Sequence, residues 1–212
     1  SQIVIQRGVG TSSNGTASFG ASVNILTKNP EEKPYFLTNQ SAGSFNTFKH
    51  SFEAGTGKFL NNLLSVSARY SIINSDGYID RAFSKLNSYN INALFEKGNT
   101  KLRFLTFGGK EKTYQAWNGI DKATYESNPK FNYSGAIYDA NWENIIGFYD
   151  NETDNYRQNH YHLLWEQKLG KIWNLETTFH LTHGEGYYEN YKQDAKFSKY
   201  DLPNIVENGN TI

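Results

Sequence analysis

The chain has 212 residues, 21 acidic and 21 basic side chains, and no cysteine. A formal charge of zero gives no steering toward nucleic acid, and the missing thiols exclude a disulfide framework and any Cys-ligated metal. Aromatics reach 16%, yet mean hydropathy is −0.69. No run approaches the ~18 apolar residues of a membrane helix, so a β-barrel, whose alternation averages out in a hydropathy window, is the one membrane architecture such values allow.

The chain opens on an apolar strand, Ile3-Val4-Ile5, followed by Gly8-Val9-Gly10. A dinucleotide loop would need a third glycine where Ser13 stands and a helix after it, so the segment reads as a turn. Residues 1–30 lack the basic start and apolar core of a signal peptide, and we expect an internal piece of a longer protein. Asn29-Pro30-Glu31-Glu32-Lys33-Pro34 reads as a linker, because two prolines and three charges disfavour a ladder strand.

Alternation of period two follows. Phe48, Phe52 and Ala54 alternate with Lys49, Ser51 and Glu53. Val66, Ala68 and Tyr70 alternate with Ser67, Arg69 and Ser71, and Ile91 and Phe95 with Asn90, Asn92 and Glu96. Leu163 and Trp165 oppose His162 and Glu166, and Phe179 and Leu181 oppose Thr178, His180 and Thr182. Strands are predicted over roughly 35–43, 47–55, 62–74, 87–97, 100–112, 156–168 and 172–187. The first is ambiguous in facing at Tyr35-Phe36-Leu37. In the fifth, pairing across a Gly98-Asn99 hairpin puts Leu102 and Phe104 on the apolar side. Short turns are expected at Gly55-Thr56-Gly57, Gly98-Asn99 and Leu169-Gly170-Lys171, with longer connections at 75–86, 113–155 and from Tyr188 onward. Short turns at one end and long loops at the other are the pattern of an outer-membrane barrel.

Arg7-Gly8, Gly15, Gly20 and Val23-Asn24-Ile25-Leu26-Thr27-Lys28 resemble, in order and spacing, the end of the plug domain of TonB-dependent outer-membrane receptors. Residues 107–119 also resemble barrel strands of that family, in versions associated with Bacteroides-like bacteria. The resemblance implies residues 1–29 as the end of a plug and 30–34 as a linker. It implies 35–187 as the first barrel strands with extracellular loops, and 188–212 as the start of another loop. The fold class expected is all-β: about seven strands of a transmembrane antiparallel barrel that closes with about 22 strands in the family, preceded by the last plug strands. The implied function is energy-coupled uptake of a scarce ligand such as an iron complex, vitamin or glycan. The implied partners are outer-membrane lipid and, through parts of the receptor outside this chain, the TonB complex. Open strand edges would let the fragment self-associate. No cofactor is implied.

Site expectations follow from the facing. Arg7 at the polar lumen wall would need a carboxylate, with Glu53, Glu96 and Glu166 available on the inward face. His160, His162 and His180 form the densest imidazole group and are weak candidates for a metal; placing the turn on Gly170 would set His180 across from His160. The long loop offers Tyr114, Trp117, Asn118, Tyr125, Tyr138 and Trp142 for ligand contact by stacking and hydrogen bonding, closing over the lumen near His160. No catalytic constellation stands out, so an enzyme is not expected. The alternative class is a soluble aromatic-rich β-sandwich, a carbohydrate-binding or adhesin module; the alternation of short turns and long loops opposes it.

Overall fold

The computed structural model describes residues 2–8 and 20–211. Gly15 and the rest of 9–19 lie outside the described residues. Strands β1 (Gln2–Arg7) and β2 (Ala21–Leu26) pair antiparallel as a hairpin. Seven long strands follow: β3 (Pro34–Gly43), β4 (Thr47–Phe59), β5 (Leu64–Ser75), β6 (Ser84–Lys97), β7 (Thr100–Tyr114), β10 (Thr153–Leu169) and β11 (Trp173–Tyr188). They form a single antiparallel sheet in chain order. Between β7 and β10 the chain inserts helix α1 (Lys122–Ser127) and a hairpin of β8 (Ala136–Tyr138) and β9 (Ile145–Phe148). After β11 come a 3-10 turn (Phe197–Tyr200) and a short hairpin, β12 (Val206–Glu207) with β13 (Asn210–Thr211).

The register separates the faces as the alternation predicts. Residues opposed in an antiparallel ladder share a face. Ala68 opposes Ile91, which opposes Thr106, then Tyr161, then Leu181. One row nearer the hairpin turn, Val66, Ala93, Phe104, Leu163 and Phe179 are in line, and Phe52 and Tyr70 join from β4 and β5. The opposite face carries the row Glu53, Arg69, Asn90, Phe107, His160 and Thr182. In β3, Phe36 falls on the apolar face, while Tyr35 and Leu37 fall on the polar one. Leu105 and Phe107 likewise take the polar face, against Leu102 and Phe104 on the other.

Burial is inverted relative to a soluble sheet. Among the described residues the buried apolar side chains are Leu94, Leu105 and Tyr114, whereas Ser65, Asn92, Thr106 and Asn159 are buried polar groups within the sheet. On the apolar face Phe104 is 42% exposed and Phe179 59%. A water-soluble monomer rarely leaves a continuous apolar patch beyond a few hundred Å² open.

Two turn expectations are corrected. Gly55-Thr56-Gly57 lies inside β4, where the ladder with β5 shifts register between Gly55 and Lys58. Gly57, at φ +66°, takes the backbone conformation that this bulge requires, with the backbone of Glu32 and Pro34 packed against it. The turn itself is Leu60-Asn61-Asn62-Leu63, whose first three residues are left-handed. Asparagine tolerates that conformation better than other side chains, a signal outweighed by the two neighbouring glycines. The β10–β11 turn is centred one residue later than expected, so His180 opposes His162 and Thr182 opposes His160.

Glycines in the wall receive aromatic rings from the adjacent strand. Tyr35 opposes Gly55, and a Cβ there would lie 2.2–2.9 Å from three atoms of the Tyr35 ring. The Tyr35 hydroxyl then donates to Glu53 Oε1 at 2.8 Å. Tyr156 opposes Gly186 in the same way. A Gly55→Ala change should cost roughly 1–3 kcal/mol by overpacking. In a Tyr35→Ala background most of that cost should vanish. Denaturant unfolding of the two single and one double variants measures the coupling, and additive costs would rule out the ring as the cause.

Candidate functional site

The segment leaving β2 is fixed to the polar face by one arginine. Arg103 on β7 donates from Nη2 to Thr27 Oγ1 at 2.7 Å and to the Lys28 carbonyl at 2.8 Å. Its Nε donates to Asn92 Oδ1 at 3.0 Å, and Asn92 Nδ2 donates to the same Lys28 carbonyl at 2.8 Å. Pro30 is buried behind this contact. Further along, Lys58 N–H donates to the Glu32 carbonyl at 2.9 Å, and its ammonium pairs with the Glu32 carboxylate at 2.8 Å. Residues 27–32 are thus held at both ends against the sheet.

Arg7, expected to pair with an inward barrel carboxylate, is exposed, and among the described residues no carboxylate is within ion-pair distance of it. Its three expected partners are occupied differently or stand apart from it. Glu53 accepts from Tyr35, and Glu166 pairs with Lys101 at 3.5 Å. Glu96 opposes Lys101 in the ladder. Nothing in sequence singled out Arg103, because it sits in the one strand whose alternation Leu105 and Phe107 obscure.

His160, His162 and His180 do share a face, with ring centroids 6.3 Å apart along the series. The Phe107 ring stacks on His160 at 4.6 Å, and His160 Nδ1 shares a hydrogen bond with Thr182. Among the described residues no cluster of three or more His, Cys, Asp or Glu could hold a metal ion.

At the opposite end from the Gly98 and Gly170 turns, three connections are stapled into one head. Tyr114 is buried, and its hydroxyl donates to the Ser134 and Tyr149 carbonyls at 3.1 and 2.8 Å. It is a structural post, not the ligand contact expected. Asn132 Nδ2 donates to the Asp80 and Gln115 carbonyls, tying in the 76–83 connection, and Arg81 lies over the Phe148 ring at 3.4 Å. Glu152, also buried, accepts from Asn190 Nδ2 and from Tyr191 N–H, both at 2.6 Å. Gln193 and Tyr138 exchange two hydrogen bonds, at 2.8 and 2.9 Å. The long loop is therefore a docked subdomain, whereas the sequence suggested a closing lid. Sequence reasoning missed Arg81, Asn132, Glu152 and Gln193 because polar residues in loops carry no periodicity to mark them.

The other aromatics are presented outward. Trp117 is 62% exposed, edge-on to Tyr188 at 5.8 Å, and Asn118 beside it is exposed. Tyr125 is exposed on α1. Tyr138 stacks on Trp142 at 5.7 Å and 22°, and both line a cleft of about 600 Å³ between the β8–β9 hairpin and residues 191–199. The loop is also held by two carboxylates. The Thr124 hydroxyl and N–H hold Asp121 below its ordinary pKa, and the Asn144 amide with the Glu143 N–H does the same for Asp139.

Solved structures with a similar fold include the following two. The FpvAI–pyocin S2 complex superposes with a TM-score of 0.64 at 14% identity, covering 85% of this chain and 24% of that one. The ferric-catecholate import receptor Fiu from E. coli K12, in an open form, gives 0.64 at 13% identity, covering 88% and 29%. The chain thus spans less than a third of the length of either of those chains. No protein-family profile matches it, and no curated protein does. The fold is all-β, a stretch of antiparallel β-barrel wall.

Replacing Arg103 by Ala should free residues 27–30, because it removes two hydrogen bonds to Thr27 and Lys28 and leaves the buried Asn92 Oδ1 short of its partner, at about 1–3 kcal/mol. Trypsin should then cut after Lys28 on the order of tenfold faster or more, and an unchanged rate would show that the clasp holds nothing. The two loop carboxylates predict acid sensitivity of the head. Both have folded pKa values below their unfolded ones, so their contribution is complete above the unfolded value and is lost as pH falls through the folded one. Trp142 emission should change in that window, and Asp139→Asn should remove part of the change.

Proposed function

We propose that this chain is the end of the plug and the first seven barrel strands of a TonB-dependent outer-membrane receptor, which takes up a scarce iron complex, vitamin or glycan. The observation that carries the reading is the inverted wall. Apolar side chains face out over the middle of the strands, and polar ones face in, with the segment after β2 seated on them through Arg103. A bilayer supplies the apolar environment that water does not. The apolar rows end toward the loop end at Asn87, Lys110, Arg157 and Glu185, so the strands project beyond the lipid into the outer aqueous space.

On this reading residues 1–29 belong to the plug, 30–34 join it to the wall, and the loops from β7 and β11 are extracellular. The Arg103 clasp takes the plug–barrel role that Arg7 was expected to fill. Trp117, Asn118, Tyr125, Tyr138 and Trp142 supply ligand-contact groups at the outer end. The receptor catalyses no reaction. Energy reaches it from the TonB complex through parts of the receptor outside this chain. A soluble sandwich would need a second sheet packed on the apolar face, and all seven long strands lie in one sheet.

Cysteine labelling in intact cells carrying the complete receptor tests location and direction together. Trp142→Cys should react with an impermeant maleimide from outside, and Gly98→Cys only after the outer membrane is permeabilised. Leu163→Cys should react in neither case. Reaction of Gly98→Cys from outside would reverse the orientation, and free reaction of Leu163→Cys would remove the barrel from the membrane. A growth advantage conferred under iron, vitamin or glycan limitation should disappear in cells lacking TonB; if it persists, the uptake is not energy-coupled.

A further inference from the structure

We infer that the cleft between the β8–β9 hairpin and residues 191–199 is a capture site for a flat polyanion. One wall is the stacked pair Tyr138 and Trp142. The facing wall carries Lys192, Lys196 and Lys199 against a single lining acid, Asp194. Among the described residues none of these three ammonium groups has a carboxylate within 4.0 Å. Three lysines and one acid along the same cleft give it a net positive charge, and an anion offsets that charge. The volume, about 600 Å³, is that of a small-molecule site.

The walls are also preorganised. The reciprocal bonds between Tyr138 and Gln193 fix the hairpin to the 191–199 segment, and Glu152 anchors that segment through Tyr191 N–H. The Trp142 backbone is left-handed, at φ +62°, and its N–H donates to the Asp139 carbonyl at 3.0 Å, so the indole is held in a tight turn. The aromatic wall and the backbone facing it therefore need little ordering on binding. The aromatic wall selects a planar face and the lysines select negative charge, so an anion without a flat face, or a flat cation, fits only half of the site. The biological meaning, a first landing place for the imported ligand, rests on the receptor reading; the binding itself does not.

The test uses this chain in non-ionic detergent, with pyrenetetrasulfonate as the flat polyanion, sulfate as the anion without a face, and methylene blue as the flat cation. Trp142 emission reports occupancy. Pyrenetetrasulfonate should bind and weaken with added salt, and Lys192→Gln/Lys196→Gln/Lys199→Gln should weaken it by about tenfold or more at low salt. Trp142→Leu should also weaken it, read by the probe's own fluorescence. A control set, Lys97→Gln/Lys168→Gln/Lys171→Gln at the other end of the strands, should leave binding unchanged, with far-ultraviolet spectra showing the same strand content throughout. Equal binding of methylene blue, equal binding of sulfate, or equal loss in both lysine sets would overturn the inference. Such a result would leave the labelling test of the barrel untouched. Conversely, binding that survives beside a failed labelling test would make the cleft a polyanion site on a different kind of protein.

Discussion

The protein is organised around one antiparallel ladder of seven long strands, interrupted only by the bulge between Gly55 and Lys58 among the described residues. Strands of 10 to 17 residues satisfy one another's backbone N–H and C=O groups from β3 through to β11, in chain order and without a crossover. That leaves only side chains to choose an environment, and period-two geometry lets them choose oppositely on the two faces. The usual relation of burial to polarity is reversed as a result. Asn92 and Ser65 are buried on the polar face beneath the segment after β2, while Phe104 and Phe179 stand exposed. Between its two edge strands, β3 and β11, the ladder needs no water on its backbone, and with apolar side chains outside it is compatible with a bilayer. The same chain in water would expose a surface that must be covered.

Register in such a sheet is vulnerable, because a slip of one residue exchanges the faces. The wall counters this with shape as well as polarity. The rings of Tyr35 and Tyr156 lie over Gly55 and Gly186, each directly opposite in the ladder. On the apolar face the Asn159 amide lies over Gly108, and Tyr89 donates to it across that gap at 3.0 Å. A slipped register would set each ring against a Cβ. A glycine in these strands therefore marks where a neighbouring side chain crosses, which also explains why Gly55 misleads as a turn signal.

The loops obey a different rule. Where the ladder ends, backbone groups are satisfied by buried polar side chains, chiefly Asn132, Gln115 and Glu152, which bind the connections after β5, β7 and β11 into one head. Polar satisfaction replaces an apolar core there, and fixed backbone positions for Tyr138, Tyr191 and Gln193 follow from it. The part of the chain with no periodicity is thus held in place by the part that has it.

The sequence by itself determined the seven strands, the facing of most of them and the asymmetry of turns and loops, because period-two alternation is a local property; the facing of β3, where Tyr35, Phe36 and Leu37 are all apolar, came from its pairing with β4. It also marked the aromatic loop as the place to look, and it placed His160 and His162 on one face. Only the tertiary structure decided which distant groups meet. Arg103 rather than Arg7 holds the segment after β2, since that choice depends on where Thr27 and Lys28 come to rest, 76 and 75 residues away. His180 faces His162 rather than His160 because a shift of one residue in a turn moves the whole register. Tyr114 became a buried post and Tyr138 a cleft wall, although both are loop tyrosines in sequence. The difference lies in long-range packing and hydrogen-bond partners, and no local pattern of residues encodes those.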